Sequence, residues 1–194
     1  NVIGQGYIGL PTALMFAKSG VKVVGTDYNK RIIDMLKSGI LPFEEKELQD
    51  LYNDAIVNKI EFTTEYQRTD TYIITVQTPY DPKSKRIDPS YLISAIHTVL
   101  EVCEKGAILI IESTVSPGTI DKHIRPAIES KGYLIGEDVH LVHAPERIIP
   151  GNMVYELENN SRTIGADSPE IGRKVKELYA QFCKGEIILT DIRS

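Results

Sequence analysis

The sequence predicts an α/β fold in which a mostly parallel β-sheet is covered by helices on both faces, the doubly wound arrangement. Short β-branched runs alternate with amphipathic helical patterns along the whole chain, an order typical of right-handed βαβ units. Several runs are almost entirely apolar, as expected for strands covered from both sides. The chain has 194 residues, enough for one large domain, and we expect residues 1–194 to form a single domain.

The predicted strands are short and β-branched, and most are separated by segments long enough to form a helix. They are Val2–Ile3, Val21–Gly25, Ile60–Thr63, Thr71–Val76, Ala107–Ile111, Val139–Val142 and Ile187–Leu189.

The predicted helices are marked by their ends as well as by their apolar period. Leu10–Ser19 is expected to form the first helix, and Glu44–Asn58 has the pattern of an acidic amphipathic helix. Asp88-Pro89 and Ser168-Pro169 each combine a capping residue with a proline at the first helical position. We therefore expect two further helices to begin at these points.

A glycine fingerprint, Gly4-x-Gly6-x-x-Gly9, joins the first predicted strand to the first helix. In such a sequence the first glycine permits a tight turn, the second lets the backbone approach a pyrophosphate, and the third lets the helix pack on the sheet. The helix N-terminus then holds the anion. Asp27 lies 23 positions after Gly4, where a carboxylate binds ribose hydroxyls and repels a 2′-phosphate. These residues predict a Rossmann-type site that favours NAD over NADP.

Two alternatives remain open for this end of the domain. The glycines are also compatible with a turn in an unrelated α/β protein, in which Asp27 is a plain turn residue. Arg31 either flanks the ribose or is a solvated cation on a helix.

Polar residues follow three successive predicted strands. Thr78-Pro79 follows the first of them, Glu112-Ser113-Thr114 the second, and Pro145-Glu146-Arg147 the third. Ligands of open parallel sheets bind beyond the carboxyl ends of the strands, so we expect these residues to line one site. For the two threonines, turn or helix capping is the alternative. For the Glu-Arg pair, the alternative is a local ion pair.

Composition argues against several other classes of protein. The net charge of −5 and the lack of a basic run give no support for a nucleic-acid surface, and no apolar run reaches the roughly 20 residues of a membrane span. His140 and His143 are three apart on a strand and point to opposite faces, so we expect no metal site. Cys103 and Cys183 fit a reducing compartment and are predicted to be structural, which indicates a cytoplasmic protein.

An ordered set of motifs extends from the first residues to beyond the middle of the chain. The set comprises Gly4-Gln5-Gly6-Tyr7-Ile8-Gly9-Leu10-Pro11-Thr12-Ala13, Thr78-Pro79, Glu112-Ser113-Thr114, Ser116-Pro117-Gly118 and Ala144-Pro145-Glu146-Arg147-Ile148-Ile149-Pro150-Gly151. Together these motifs resemble the UDP-glucose/GDP-mannose dehydrogenase family. The Pro-Glu-Arg-x-x-Pro-Gly run is similar to the branch that oxidises UDP-N-acetylhexosamines, UDP-N-acetyl-D-mannosamine above all. UDP-glucose dehydrogenases usually carry a second glutamate near the position of Pro150. Its absence from this sequence lowers the support for UDP-glucose as the substrate.

The resemblance implies an enzyme that oxidises C6 of the sugar from alcohol through aldehyde to acid with two NAD, using a cysteine thioester. It implies that Tyr7, Ile8, Asp27, Thr78 and Thr114 contact NAD, with the fingerprint glycines, Arg31 and Pro79 beside them. It also implies that Arg147 and Ile148 meet the UDP-sugar, that Glu146 is the acid–base residue, and that Thr114 positions water. The full-length protein is expected to be a homodimer serving polysaccharide biosynthesis.

The same resemblance indicates parts that this chain does not contain. We expect a chain shortened at its N-terminus that lacks a central helix with a catalytic Lys and Asn and a substrate domain with the nucleophilic Cys, so that it is inactive alone. Gln5 departs from the usual small or apolar residue, which predicts an altered turn. Three rivals stay open: a UDP-glucose or GDP-mannose 6-dehydrogenase, an NAD-linked dehydrogenase of the hydroxyacid type, and a non-catalytic nucleotide-sensing domain.

Overall fold

The computed structural model describes residues 1–83 and 85–193. In chain order its strands are β1 (Val2–Ile3), β2 (Val24–Thr26), β3 (Glu61–Thr63), β4 (Thr71–Ile74), β5 (Tyr80–Asp81), β6 (Arg86–Ile87), β7 (Ala107–Ile111), β8 (Val139–His143), β9 (Arg162–Ala166) and β10 (Ile187–Thr190). Its α-helices are α1 (Gly9–Lys18), α2 (Lys30–Lys37), α3 (Leu48–Val57), α4 (Ser90–Val102), α5 (Arg125–Glu129), α6 (Met153–Asn159) and α7 (Pro169–Tyr179). A π-helical turn, Ile120–Ile124, leads into α5.

One sheet of eight strands, in the order β10-β9-β8-β7-β4-β1-β2-β3, forms the centre of the protein. The pairs from β3 to β8 are all parallel, whereas β9 runs antiparallel to β8 and parallel to β10. The predicted doubly wound, mostly parallel sheet is therefore confirmed. The strand order reverses between β1 and β4, which is the position where ligands bind in such sheets.

Two apolar clusters cover the two faces of this sheet. Alternate residues of β4 divide between them, since Ile73 belongs to one cluster and Ile74 to the other. The first cluster contains buried residues of α1, α2, α3, α6 and α7, and the second contains those of α4, α5 and the π-helical turn. The sheet thus divides the core into two layers. The helices cover the faces of the sheet, and the loops lie at its edges.

Most predicted elements are present, although several begin or end elsewhere. Val21 belongs to the turn that closes α1, because its N–H donates to the carbonyl of Phe16, so β2 begins later than predicted. The strand predicted to reach Val76 ends at Ile74. The helix predicted from Glu44 begins at Leu48, after Glu47 adopts a left-handed φ of 63°.

The helix starts marked by proline agree closely with the sequence. The Oγ of Ser168 accepts a hydrogen bond from Ile171 N and caps α7, whose first residue is Pro169. Asp88 Oδ1 accepts a hydrogen bond from Ser90 N, although α4 begins at Ser90 with Pro89 as its N-cap, one residue later than predicted. These local signals succeeded because the capping contact spans only two or three residues.

Some elements were not predicted from the sequence. They are the antiparallel β5–β6 pair, α5, α6 and the strand β9, whereas α2 was anticipated without bounds as the helix that one alternative assigns to Arg31. In β9 the run Arg-Thr-Ile-Gly-Ala begins with a charged residue and contains a glycine, so it does not resemble an apolar strand. None of the described helices is long and apolar enough to cross a membrane.

Phe16 packs at the centre of an aromatic group on one face of the sheet. Its substitution is a test of how this layer of the core is packed. Its ring lies 5.3 Å from that of Tyr179 and 4.8 Å from that of Phe182, and the residue is 2% exposed. We expect Phe16→Ala to lower the free energy of unfolding by about 3–5 kcal/mol in urea titration, because it leaves a cavity. Tyr28→Ala, at a position 85% exposed, is the matched control and should change it by less than about 0.5 kcal/mol. Equal effects would contradict the described packing.

Candidate functional site

The glycine fingerprint forms a tight loop between β1 and α1. Gly4 has a φ of 94°, and its N–H donates to the carbonyl of Thr26. A Cβ on Gly9 would lie 1.9 Å from the carbonyl oxygen of Gly4, so α1 can begin there only with glycine. Gly6 has nothing within 4 Å of the position a Cβ would take, which leaves space for an anion. The loop therefore presents the N-terminus of a ten-residue helix to open space, as a pyrophosphate site requires.

Asp27 follows β2 and is held against this loop. Its Oδ2 accepts a hydrogen bond from Gln5 N at 2.7 Å, and its Oδ1 accepts one from Asn29 N at 2.8 Å. A carboxylate has about four acceptor positions, so these two backbone donors leave about two of them unfilled. Arg31 lies in the first turn of α2 with an exposed side chain, which leaves both of its alternatives open.

The side chain of Gln5 lies below the loop and is fully buried. Its Nε2 donates to the carbonyl oxygens of Val2 and Gly4, and its Oε1 lies only 2.7 Å from the position that a Cβ on Gly25 would take. The amide thus supports the turn from the sheet side. This glutamine occupies none of the space next to Gly6.

The loops that follow β4 and β7 are joined by side-chain hydrogen bonds. Thr78 Oγ1 donates to the carbonyl of Thr114 at 2.6 Å, and Ser113 Oγ donates to that of Val76 at 2.7 Å. Pro79 is exposed beside them, and its carbonyl accepts from Asp88 N. The Thr78 hydroxyl therefore joins two strand ends. The predicted meeting of these residues at one edge of the sheet is present in the structure.

A carboxylate links the glycine loop to the loop after β8. Glu45 Oε2 accepts hydrogen bonds from Tyr7 Oη at 2.7 Å and from Gly151 N at 3.0 Å. Partial burial and the Glu45 carboxylate raise the pKa of Tyr7 to about 12. The Gly151 amide, followed by the Tyr7 hydroxyl, lowers the pKa of Glu45. The Tyr7 ring also packs on Phe43, at 5.2 Å between centroids. Ile8, the residue before α1, is half-buried.

A buried guanidinium holds two carboxylates at the ends of β7 and β8. Arg162 Nη1 donates to Glu112 Oε1 at 2.7 Å, and Arg162 Nη2 donates to Glu146 Oε2. Burial raises the pKa of Glu112, and Arg162 partly offsets this. Burial opposes the charge of Arg162, but the carboxylates of Glu112 and Glu146 raise its pKa overall. The guanidinium also stacks 4.3 Å above the ring of Tyr179.

The ion pair of Glu146 is formed with Arg162, so the alternative of a local pair with Arg147 is wrong. The backbone N–H of Arg147 donates to Glu146 Oε1 at 2.7 Å, while its side chain is exposed. Glu146 and Arg147 line a polar cavity of about 320 Å³, together with Pro145, Asn160, Ser161 and Arg162. Ile148 is half-buried beside this cavity and packs on the apolar layer that includes α1.

Arg162 was not identified from the sequence, and Glu112 was expected to line the site without a specific role. The available signal was an arginine at the start of the run Arg-Thr-Ile-Gly-Ala, whose other residues are uncharged. Cys183 is buried and Cys103 is half-buried, where burial raises its thiol pKa. Among residues 1–83 and 85–193, no group of three or more His, Cys, Asp or Glu could hold a metal ion.

Comparison with known proteins identifies relatives along the whole chain. The family model described as "UDP-glucose/GDP-mannose dehydrogenase family, NAD binding domain" matches residues 1–183. The chain is 41% identical over 194 residues to UDP-N-acetyl-D-mannosamine dehydrogenase of Pyrococcus horikoshii, covering 98% of this chain and 46% of that protein. It is 34% identical over 202 residues to the enzyme of the same name from Escherichia coli K12, covering 100% and 48%.

A solved structure gives the same result for the fold. The UDP-N-acetyl-mannosamine dehydrogenase of Staphylococcus aureus matches with a TM-score of 0.92 and 42% identity, over 99% of this chain and 47% of that one. The chain therefore spans about half the length of the relatives it matches.

The Glu45 contact with Gly151 has a defined pH dependence. Because the carboxylate has a lowered pKa in the folded protein, its contribution is present above its ordinary value and is lost as the pH falls through the folded value. We expect the Gly151 amide signal in ¹H–¹⁵N NMR to titrate with a midpoint below about 4.3, the ordinary value of Glu. Glu45→Gln should abolish this transition, and Glu44→Gln is the matched control that should leave it unchanged. A midpoint at or above the ordinary value would contradict the contact.

Proposed function

Because this chain belongs to the UDP-glucose/GDP-mannose dehydrogenase family, we propose that it is the NAD-binding half of a nucleotide-sugar 6-dehydrogenase. The proposed substrate is a UDP-N-acetylhexosamine, most specifically UDP-N-acetyl-D-mannosamine, oxidised at C6 to the uronic acid. The observation that carries this proposal is the arrangement at one sheet edge of the glycine loop, the carboxylate of Asp27 held against that loop, and the carboxylate of Glu146 at the wall of a polar cavity.

NAD is the cofactor of the matched domain family, and the loop fits it. The free space at Gly6 and the N-terminus of α1 suit a pyrophosphate, with Gly4, Tyr7, Ile8 and Gly9 around it. The two remaining acceptor positions of Asp27 suit the ribose hydroxyls.

Thr78, Pro79 and Thr114 are the proposed contacts farther along NAD. They follow β4 and β7, on the carboxyl side of the same sheet, and the Thr78–Thr114 hydrogen bond keeps the two loops together. Held by these residues, NAD would supply the hydride acceptor for the oxidation at C6.

Glu146 is the proposed acid–base residue of the reaction. Each oxidation at C6 sends a hydride to NAD and releases a proton, and a carboxylate at the cavity wall is placed to accept that proton. The exposed guanidinium of Arg147 and the neighbouring Ile148 are proposed to contact the UDP-sugar. Thr114 is proposed to position the water that releases the acid.

The covalent step requires a thiol that this chain does not place at the site. Cys103 is half-buried at the C-cap of α4, and Cys183 is in the core. We propose that the nucleophilic cysteine belongs to a substrate domain outside this chain. Residues 1–194 would then act as a single NAD-binding domain.

Three broader features belong to the same proposal. The family resemblance supports a homodimer of the full-length protein, and two free cysteines fit the reducing conditions of the cytoplasm. An N-acetylated uronic acid is a building block that polysaccharide assembly would consume.

Binding of NAD tests the cofactor half of the proposal. We expect calorimetry to show that the 194-residue chain binds NAD more tightly than NADP. Asp27→Asn should weaken NAD binding by about tenfold or more, because a hydrogen bond to a charged acceptor is worth about 1.5–3 kcal/mol. Asp34→Asn, an exposed acid paired with Lys30, is the control and should bind as the wild type does. A preference for NADP would argue against the ribose role of Asp27.

Turnover tests the substrate half. The 194-residue chain alone should produce no NADH with UDP-N-acetyl-D-mannosamine, whereas the full-length protein should produce two NADH per sugar. UDP-glucose, GDP-mannose and small hydroxyacids serve as competing substrates in the same absorbance assay. Turnover by the isolated chain would show that its own cysteines are not structural, and oxidation of hydroxyacids alone would exclude a sugar dehydrogenase.

A further inference from the structure

We propose that Arg162, anchored by Glu112, is the residue that positions the carboxylate of Glu146 for acid–base chemistry. This inference rests on the proposed function, which assigns that chemistry to Glu146. Arg162 is among the residues that line the cavity, but it is only 4% exposed and its guanidinium is bound by two carboxylates, so it acts through its neighbour and not on the substrate. Both of its carboxylate partners are held by the same guanidinium, one on each side.

The reversal of strand direction at β9 brings this arginine to the site. In the antiparallel pair, His143 lies opposite Gly165 and Val142 lies opposite Ala166. The same register, continued beyond the end of β8, places Arg162 beside Glu146. A parallel strand at this position would have carried its first residue to the far edge of the sheet.

The two carboxylates have different surroundings, which indicates different roles. The side chain of Glu112 is 0% exposed and lies below the cavity, whereas that of Glu146 is 8% exposed and forms part of the cavity wall. Glu112 is therefore placed to fix the guanidinium, and Glu146 is placed to reach a ligand. The ring of Tyr179 stacks on one face of the guanidinium and limits its movement.

Stability alone does not account for this buried cluster. Burial of one cation and two carboxylates carries a large desolvation cost, and apolar side chains of similar volume often stabilise a core equally well. An arginine fork, in contrast, holds two carboxylates in a defined geometry that lysine cannot reproduce. A geometric role at the cavity wall explains why these charges lie inside the protein.

A double-mutant cycle in the full-length enzyme distinguishes a role of Arg162 in positioning Glu146 from a purely structural role of Arg162. We expect Arg162→Lys to lower kcat by about 100-fold, the order of loss that a misplaced catalytic group causes, with the KM for NAD changed by less than about twofold. In the Glu146→Gln background, Arg162→Lys should cause no further loss, because it acts through Glu146. Additive losses in the double variant, or an unchanged kcat in the single variant, would overturn the inference.

Arg125→Lys is the matched control for this substitution. Arg125 also joins two carboxylates, Asp121 and Asp167, at 2.8 and 2.7 Å, but these lie on the surface. The kcat of the Arg125→Lys enzyme should equal that of the wild type. If Arg162→Lys does not fold, Glu112→Gln takes its place in the cycle, since it keeps the shape of the side chain and removes the anchoring charge.

Failure of the inference and failure of the proposed function give different results. If the wild-type enzyme oxidises no nucleotide sugar, the proposed function is wrong, and crystal structures of the variants still test the positioning. Arg162→Lys, or Glu112→Gln in its place, should displace the Glu146 carboxylate from the cavity wall while the surrounding backbone stays in place. A carboxylate that keeps its wild-type position would overturn the inference without any measurement of turnover.

Discussion

The contact between the first and third glycines of the fingerprint is the constraint on which the rest of the site depends. A Cβ at Gly9 would lie 1.9 Å from the carbonyl oxygen of Gly4, so only glycine lets α1 begin directly beside the end of β1. This close approach aims the helix N-terminus at the switch point of the sheet. It also places Tyr7 and the backbone of Gln5 where Glu45 and Asp27 can bind them.

The sequence predicted the parts of the fold that depend on short-range patterns. The strands β4, β7 and β8 lie between apolar layers and are mostly apolar, and the side chains of Asp88 and Ser168 accept hydrogen bonds from N–H groups in the first turns of α4 and α7. β9 was missed because its first residue is a charged arginine. That charge is paired with carboxylates 50 and 16 positions away, and no local pattern contains such partners.

The candidate site was predictable for a different reason. Parallel strands end at the same edge of a sheet, so polar residues after successive strands had to lie near one another, as Thr78 and Thr114 do. Their detailed pairing was not predictable, because it depends on side-chain directions across the sheet. Glu146 illustrates the difference: its place at the edge followed from the sequence, whereas its partner, Arg162, followed only from the antiparallel direction of β9.

The carboxylate of Glu45 has a consequence for how this domain can be recombined. One oxygen atom accepts hydrogen bonds from Tyr7 in the glycine loop and from Gly151, a residue 106 positions after the glutamate. The segment from β1 to β3, which contains Glu45, is therefore not a free-standing module. A chimaera that takes residues 1–63 from one homologue and the remainder from another retains this junction only if the incoming unit supplies both a hydroxyl and a carboxylate of matching reach.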